Sequence, residues 1–223
     1  MRYRDFQDPG DMEVRLVEML GSALEGRLGA AAYGVLITGG GTMLPVYERL
    51  AHGGVRASPD VSVMLSDERV VPAGSRDHNY AKIEPALDVM GVPATRRIYV
   101  STDLPLETSV KQFDNALGQV VRGESIPFGV LGLGGDGHIA GLFSDDDIRR
   151  GSGVRAVAVE RPDGHKGISV TAEFLQSVRR LVLFVRGEAK RDAVETMRTR
   201  PRDVVAGRIL EHHESLELWY CPE

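Results

Sequence analysis

The chain has 223 residues, 42% of them hydrophobic, a formal net charge of −5 and one cysteine, Cys221. That length suffices to bury a full core as one domain spanning 1–223, and the acidic balance argues against nucleic acid or an anionic membrane as the main partner. A lone cysteine excludes an intrachain disulfide, a thiolate zinc site and a CxxC redox pair, while any anionic ligand requires a locally positive pocket.

The opening segment, MRYRDFQDPGDMEVRL, lacks the apolar run of a signal peptide. No stretch approaches the roughly 18 apolar residues of a membrane helix, so a soluble, cytoplasmic protein is expected. From Asp11 to Leu28, apolar residues recur at three- and four-residue steps, which predicts an amphipathic helix with Asp11 as its N-cap. Ala32 to Thr38 reads as a buried strand stopped by Gly39, Gly40 and Gly41, and Met43 to Ala51 follows with helical spacing. Val61 to Leu65 repeats the strand pattern and runs into Asp67, Glu68 and Arg69. A helix is expected over Tyr80 to Met90, bent or interrupted at Pro85. Leu106 to Val121 reads as a crossover helix leading to a strand at Phe128 to Leu133. Asp145 to Gly153 reads as a surface loop. Val154–Val159, Ile168–Val170, Leu181–Val185 and Leu216–Tyr220 read as further strands, with a helix over Glu188–Met197. This alternation predicts an α/β fold: a largely parallel sheet with helices on both faces.

Four segments carry candidate chemistry, each with a plainer alternative. In ITGGGTMLPVYERL, three glycines between a strand and a helix expose backbone N–H groups suited to phosphate, and Thr42 adds a hydroxyl; a tight structural turn explains the same residues. The segment lacks the lysine of GxxxxGK(S/T) and the spacing of GxGxxG. In SDERVVPAGSRDHNYAKI, two carboxylates and Arg69 follow a strand, where a site or merely a solvated loop fits, and Asn79 is placed to cap the next helix. FGVLGLGGDGHIAGLF holds one histidine in a glycine-rich strand end; His138 is a candidate general base with Asp136 two residues before it, the alternative being a structural histidine. In VRGEAKRDAV, Lys190 opposes the helix macrodipole unless it serves an anion, although exposed lysines are commonplace. Glu211 to Glu214 (EHHE) has no metalloprotease spacing and reads as a polar turn, so no metal is assigned.

Taken together and in this order, the four segments resemble the 6-phosphogluconolactonase branch of the glucosamine-6-phosphate isomerase and lactonase superfamily. The family's SGG(S/T)TP loop falls on Thr38 to Met43, its DERxVP on Asp67 to Pro72, its LGxGxDGHxASLFP on Leu131 to Ser144, and its GxxK on Gly187 to Lys190. The resemblance implies a modified Rossmann-like sheet and a cofactor-free, metal-independent hydrolysis of 6-phospho-D-glucono-1,5-lactone to 6-phosphogluconate in the oxidative pentose phosphate pathway. It implies His138 as general base, Asp136 or Asp67 as the carboxylate that orients it, and Gly39, Gly40, Gly41, Thr42, Arg69 and Lys190 as phosphate ligands. Backbone N–H groups near Gly134 to Gly137 are expected at the oxyanion. The partner is the small phosphorylated lactone, the protein being a monomer or homodimer. The amino-sugar 6-phosphate deaminase branch is the closest alternative, but the acidic residue it carries five past the histidine is Phe143 here. The chain also departs from its own branch: the arginine of the family's R(I/V)TLT strand is Gly167, with His165 and Lys166 the nearest cations on that strand. This departure keeps a non-catalytic sugar-phosphate sensor as a further alternative.

Overall fold

The structure is a computed structural model describing residues 1–29 and 31–223. Its elements in chain order are β1 (Arg2–Asp5), α1 (Pro9–Leu24), β2 (Tyr33–Ile37), α2 (Leu44–His52), β3 (Val61–Leu65), β4 (Asp67–Arg69), α3 (Asn79–Val89), β5 (Arg97–Ile98), α4 (Leu106–Gly123), β6 (Ser125–Leu131), α5 (Asp145–Arg150), β7 (Ala156–Glu160), β8 (Lys166–Val170), α6 (Ala172–Gln176), β9 (Leu181–Arg186), α7 (Arg191–Thr199), α8 (Val205–Leu210) and β10 (Leu216–Cys221). Seven strands form one sheet in the order β1-β10-β9-β6-β2-β3-β5, with every pairing parallel. A smaller antiparallel sheet, β4-β8-β7, accompanies it.

Alternation along each strand divides the apolar residues between two cores. Val35 and Ile37 face one way with Val182, Phe184 and Trp219, against α1, α2 and α3. Leu36 faces the other way with Leu181, Leu183 and Leu218, against α4, α6, α7, α8 and the small sheet. Strands buried on both faces need continuous apolar runs, which is why YGVLI and LVLFV were legible as strands. The cores meet only through the sheet, so the sheet fixes the positions of both helical layers.

Several boundaries differ from expectation for local reasons. Helix α1 begins at Pro9 because the Asp8 side chain accepts from Gly10 N at 2.6 Å, which makes Asp8 rather than Asp11 the cap. Pro85 lies inside α3 without ending it. The expected loop after Ser144 begins as α5, because Ser144 and Asp147 form a reciprocal capping box. Asp67–Arg69 is a strand rather than a loop, because β8 supplies its backbone partners.

The joint between the sheets is one residue, Ser66. Its N–H donates to Ile37 O in β2 at 2.8 Å and its carbonyl accepts from Val170 N in β8 at 2.8 Å, with the residue fully buried. The small sheet is thereby fixed beside the carboxyl ends of β2 and β3.

Leu36, fully buried in β2, reports on the core on the α4 side of the sheet. Leu36→Ala is expected to cost about 2–5 kcal/mol, seen as a lower urea midpoint with an unchanged slope.

Candidate active site

The glycine turn follows β2, the DER strand follows β3, GLGGDGH follows β6 and GEAK follows β9, so all four segments lie at the carboxyl edge of the large sheet. Open α/β sheets bind ligands there. A cavity of about 260 Å³ opens at this edge, and of the residues expected at a site, Gly39, Gly40, Thr42, Asp67, Arg69, His138 and Lys190 line it. Two of the expected residues do not. Gly41 turns its face to solvent, with nothing within 4 Å of where a side chain would begin. Asp136 is half-exposed outside the lining, in contact with His138.

Asp136 Oδ1 lies 2.5 Å from His138 Nδ1 and also accepts the His138 backbone N–H at 3.2 Å. An ionised carboxylate can only accept, so Nδ1 carries the ring proton and Nε2 is left as a bare acceptor. Gly134 makes this packing possible, because a Cβ there would sit 2.1 Å from His138 Nδ1 and 2.4 Å from Asp136 Oδ1. Burial alone would raise the Asp136 pKa, but the His138 charge and the hydrogen bonds outweigh it and hold the carboxyl below its ordinary value. The expected oxyanion donors are partly engaged: Gly134 N donates to His138 O and Gly137 N to Gly134 O. The two-residue turn that follows puts Ala140, a cavity residue, at φ 50°, a conformation seldom adopted by a residue with a side chain.

Asp67 is shifted the other way. Burial pushes its carboxyl up, and the Ser66 hydroxyl, Arg161, His138 and Arg69 offset this only in part. Asp67 is not the hydrogen-bonded partner of the imidazole. Its Oδ1 accepts from Ser66 Oγ at 2.6 Å, so of the two candidate carboxylates Asp136 is the one hydrogen-bonded to His138.

Between Asp67 and Arg69, Glu68 points away from the cavity and accepts three backbone N–H groups, from Arg69 at 2.8 Å, Asn79 at 2.7 Å and Tyr80 at 2.7 Å. His78, not Asn79, caps α3, its Nδ1 accepting from Ala81 N at 3.1 Å. Asn79 instead reaches toward the site and donates from Nδ2 to Asp67 O at 3.2 Å. In the glycine turn, Gly40 has φ 124°, which a side chain disfavours, and the N–H groups of Gly40, Gly41 and Thr42 find no acceptor among the described residues.

Two cavity cations escaped the sequence reading. Arg186, the last residue of β9, is held by Glu13 at 2.9 Å and the Glu223 carbonyl at 2.9 Å. Arg161 enters from the β7–β8 hairpin. The hairpin signal was present in the sequence as R-P-D-G-H, a tight turn that returns the chain beside itself. Neither His165 nor Lys166 takes the place of the absent arginine: both are exposed and neither lines the cavity, because they lie at the hairpin's outer end. With Arg69 and Lys190, the cavity gathers cations within a chain of net negative charge, the local reversal an anionic ligand requires. At the EHHE segment, the buried His213 is hydrogen-bonded through Nε2 to Val178 O at 2.8 Å, a structural tie, while His212 is exposed.

The profile of the family described as glucosamine-6-phosphate isomerases/6-phosphogluconolactonase matches residues 8–218. The chain belongs to this family. Among relatives within it, the 6-phosphogluconolactonase of Caulobacter vibrioides is 33% identical over 183 residues, covering 76% of this chain and 73% of the relative. The crystal structure of 6-phosphogluconolactonase from Thermotoga maritima superposes with a TM-score of 0.83 at 22% identity, covering 100% of this chain and 99% of that one. A monomeric glucosamine-6-phosphate deaminase also gives 0.83, at 14% identity, covering 99% and 97%. The equal scores show that this fold serves both branches of the family, so the choice between them rests on side chains.

Two outcomes test the Asp136–His138 pair. Nitrogen-15 NMR of the neutral His138 ring is expected to show the proton on Nδ1, and a proton on Nε2 would contradict the geometry. Because the native state lowers the Asp136 pKa, its stabilising contribution is present above the ordinary carboxylate range and is lost as pH falls through the native value. Asp136→Asn is therefore expected to be less stable than wild type at neutral pH, with the gap narrowing in acid, as followed by urea melts at several pH values.

Proposed function

We propose that the protein hydrolyses 6-phospho-D-glucono-1,5-lactone to 6-phosphogluconate, acting as a cytoplasmic enzyme of the oxidative pentose phosphate pathway. The observation that carries this reading is the Asp136–His138 pair, whose bare Nε2 stands in a cavity lined by cations. A lactone ester requires an activated water, and a phosphorylated one requires an anion anchor in the same pocket.

In the reaction, His138 Nε2 takes a proton from water as its oxygen attacks the lactone carbonyl carbon. The resulting oxyanion collapses and expels the ring oxygen, which receives the proton back from His138. Asp136 holds the imidazole through Nδ1 and stabilises the transient imidazolium. Asp67 responds to the same step, since a charged His138 favours its ionisation. The N–H groups of the glycine turn, the Thr42 hydroxyl, Arg69 and Lys190 hold the phosphate, consistent with the orphan donors at Gly40 to Thr42.

Amino-sugar deamination is the neighbouring chemistry, and Phe143 argues against it. Its ring lies 4.4 Å from the His138 ring, an apolar neighbour where proton transfer in the other branch relies on an acid. The intact Asp136–His138 pair likewise argues against a sensor without turnover.

His138→Ala is expected to lower kcat for the phosphorylated lactone by about 10²- to 10⁴-fold with KM little changed, measured above spontaneous hydrolysis. Unchanged turnover would remove His138 as the base, and ammonia release from glucosamine 6-phosphate would move the protein to the other branch.

A further inference from the structure

We infer that Arg161, carried by the β7–β8 hairpin, is a ligand for the substrate's phosphate, and that Gly167 is the small residue that leaves room for it. The inference rests on the sugar-phosphate reading above and adds a residue from a segment to which no site role was assigned.

The strand register places Arg161 on the correct face. Asp67 pairs with Ser169, Arg69 with Gly167 and Val159 with Gly167, so these positions share one face of the small sheet, the face that bears Asp67 and Arg69. Arg161 N donates to His165 O at 2.9 Å, which continues the ladder past β7 and keeps Arg161 in phase with Val159. The arginine side chain then runs back over position 167. A Cβ on Gly167 would lie 3.4 Å from Arg161 Cδ, 3.0 Å from Val159 Cγ2 and 3.2 Å from Glu68 O. Val159 and the Glu68 carbonyl thus crowd a side chain at 167, and the Arg161 stem lies at contact distance over the same position.

The guanidinium is held but not saturated. Its side chain is only 10% exposed, its Nε bonds Asp163 Oδ2 at 3.2 Å, and its centre lies 5.0 Å from the Phe143 ring centroid. No other hydrogen bond to this guanidinium occurs among the described residues, so both terminal nitrogens remain available to an anion. A planar cation fixed by a ring and by its Nε is prepared for a two-pronged contact with phosphate oxygens. The lactone carries its permanent negative charge on the phosphate alone, so a ground-state role for Arg161 is a phosphate role.

The test compares wild type, Arg161→Ala and Arg161→Lys, each confirmed as folded by thermal melting, on the phosphorylated lactone and on unphosphorylated glucono-1,5-lactone. Inorganic phosphate binding is measured in parallel by calorimetry. Arg161→Ala is expected to raise KM for the phosphorylated lactone about ten- to a hundred-fold, leave kcat and the unphosphorylated lactone nearly unchanged, and weaken phosphate binding by a similar factor. Arg161→Lys is expected to fall between the two, since a lysine keeps the charge but loses the fork. Unchanged phosphate affinity in folded Arg161→Ala overturns the inference, as does an equal loss of turnover on both lactones, which would move Arg161 to the carbonyl end. Absence of phosphate binding in wild type overturns it too. A wild type that binds phosphate through Arg161 yet hydrolyses neither lactone would refute the lactonase reading and leave this inference standing.

Discussion

Glu68 is the constraint on which the site depends. A carboxylate buried to 1% exposure is costly unless its oxygens are satisfied, and three backbone N–H groups satisfy it. Those bonds tie the short strand β4 to the first turn of α3. Because neighbours on a strand face opposite ways, anchoring Glu68 inward presents Asp67 and Arg69 to the cavity. The same bonds set where α3 begins, and hence where Asn79 meets Asp67. A residue outside the cavity lining thus arranges two that belong to it.

The electrostatics of the cavity follow from unequal burial. Asp136 is half-exposed and bonded to His138, so its ionised form is favoured, whereas Asp67 is buried and leans toward protonation. Two carboxyls beside one imidazole are thereby separated in their affinity for a proton, the arrangement by which a fold assigns different tasks to like groups. Around them, Arg69, Arg161, Arg186 and Lys190 supply positive charge, three of them tied to carboxylates outside the lining: Asp77, Asp163 and Glu13. Such ties fix the side chains in place without cancelling the field they turn toward a ligand.

The inner strands of the large sheet were legible because they are buried on both sides and read as apolar runs, whereas the edge strands β1 and β5, exposed or only partly buried, carry no such run and were not expected. The strand at Val61–Leu65 coincides with its expected bounds for this reason. The small sheet was harder to read. Asp67–Arg69 has no apolar signature, and only pairing with β8, about a hundred residues later in the chain, makes it a strand. His138, Asp136 and Lys190 could be found because glycines and strand ends mark them locally. Arg161 could not be found that way, since its relevance lies in a register between β7 and β8 that sets it beside Gly167. Reading position 167 by itself suggests a lost cation; reading the ladder shows another arginine on the same face. Asp8 and His78 displaced the expected caps because each N-terminus offered two polar candidates, and geometry alone selects between them.

Ser66 has a mechanical consequence. Bonded through its N–H to one sheet and through its carbonyl to the other, it joins β3 to β4 with no loop between them. Relative sliding of the sheets would break two buried hydrogen bonds at once, so the distance from the glycine turn and the His138 wall to the small sheet is set before any ligand arrives. Adjustment to a ligand then falls to the hairpin tip and the side chains on the rim. A pocket built this way gives up little conformational freedom on binding, and its selectivity resides in a fixed spacing rather than in closure.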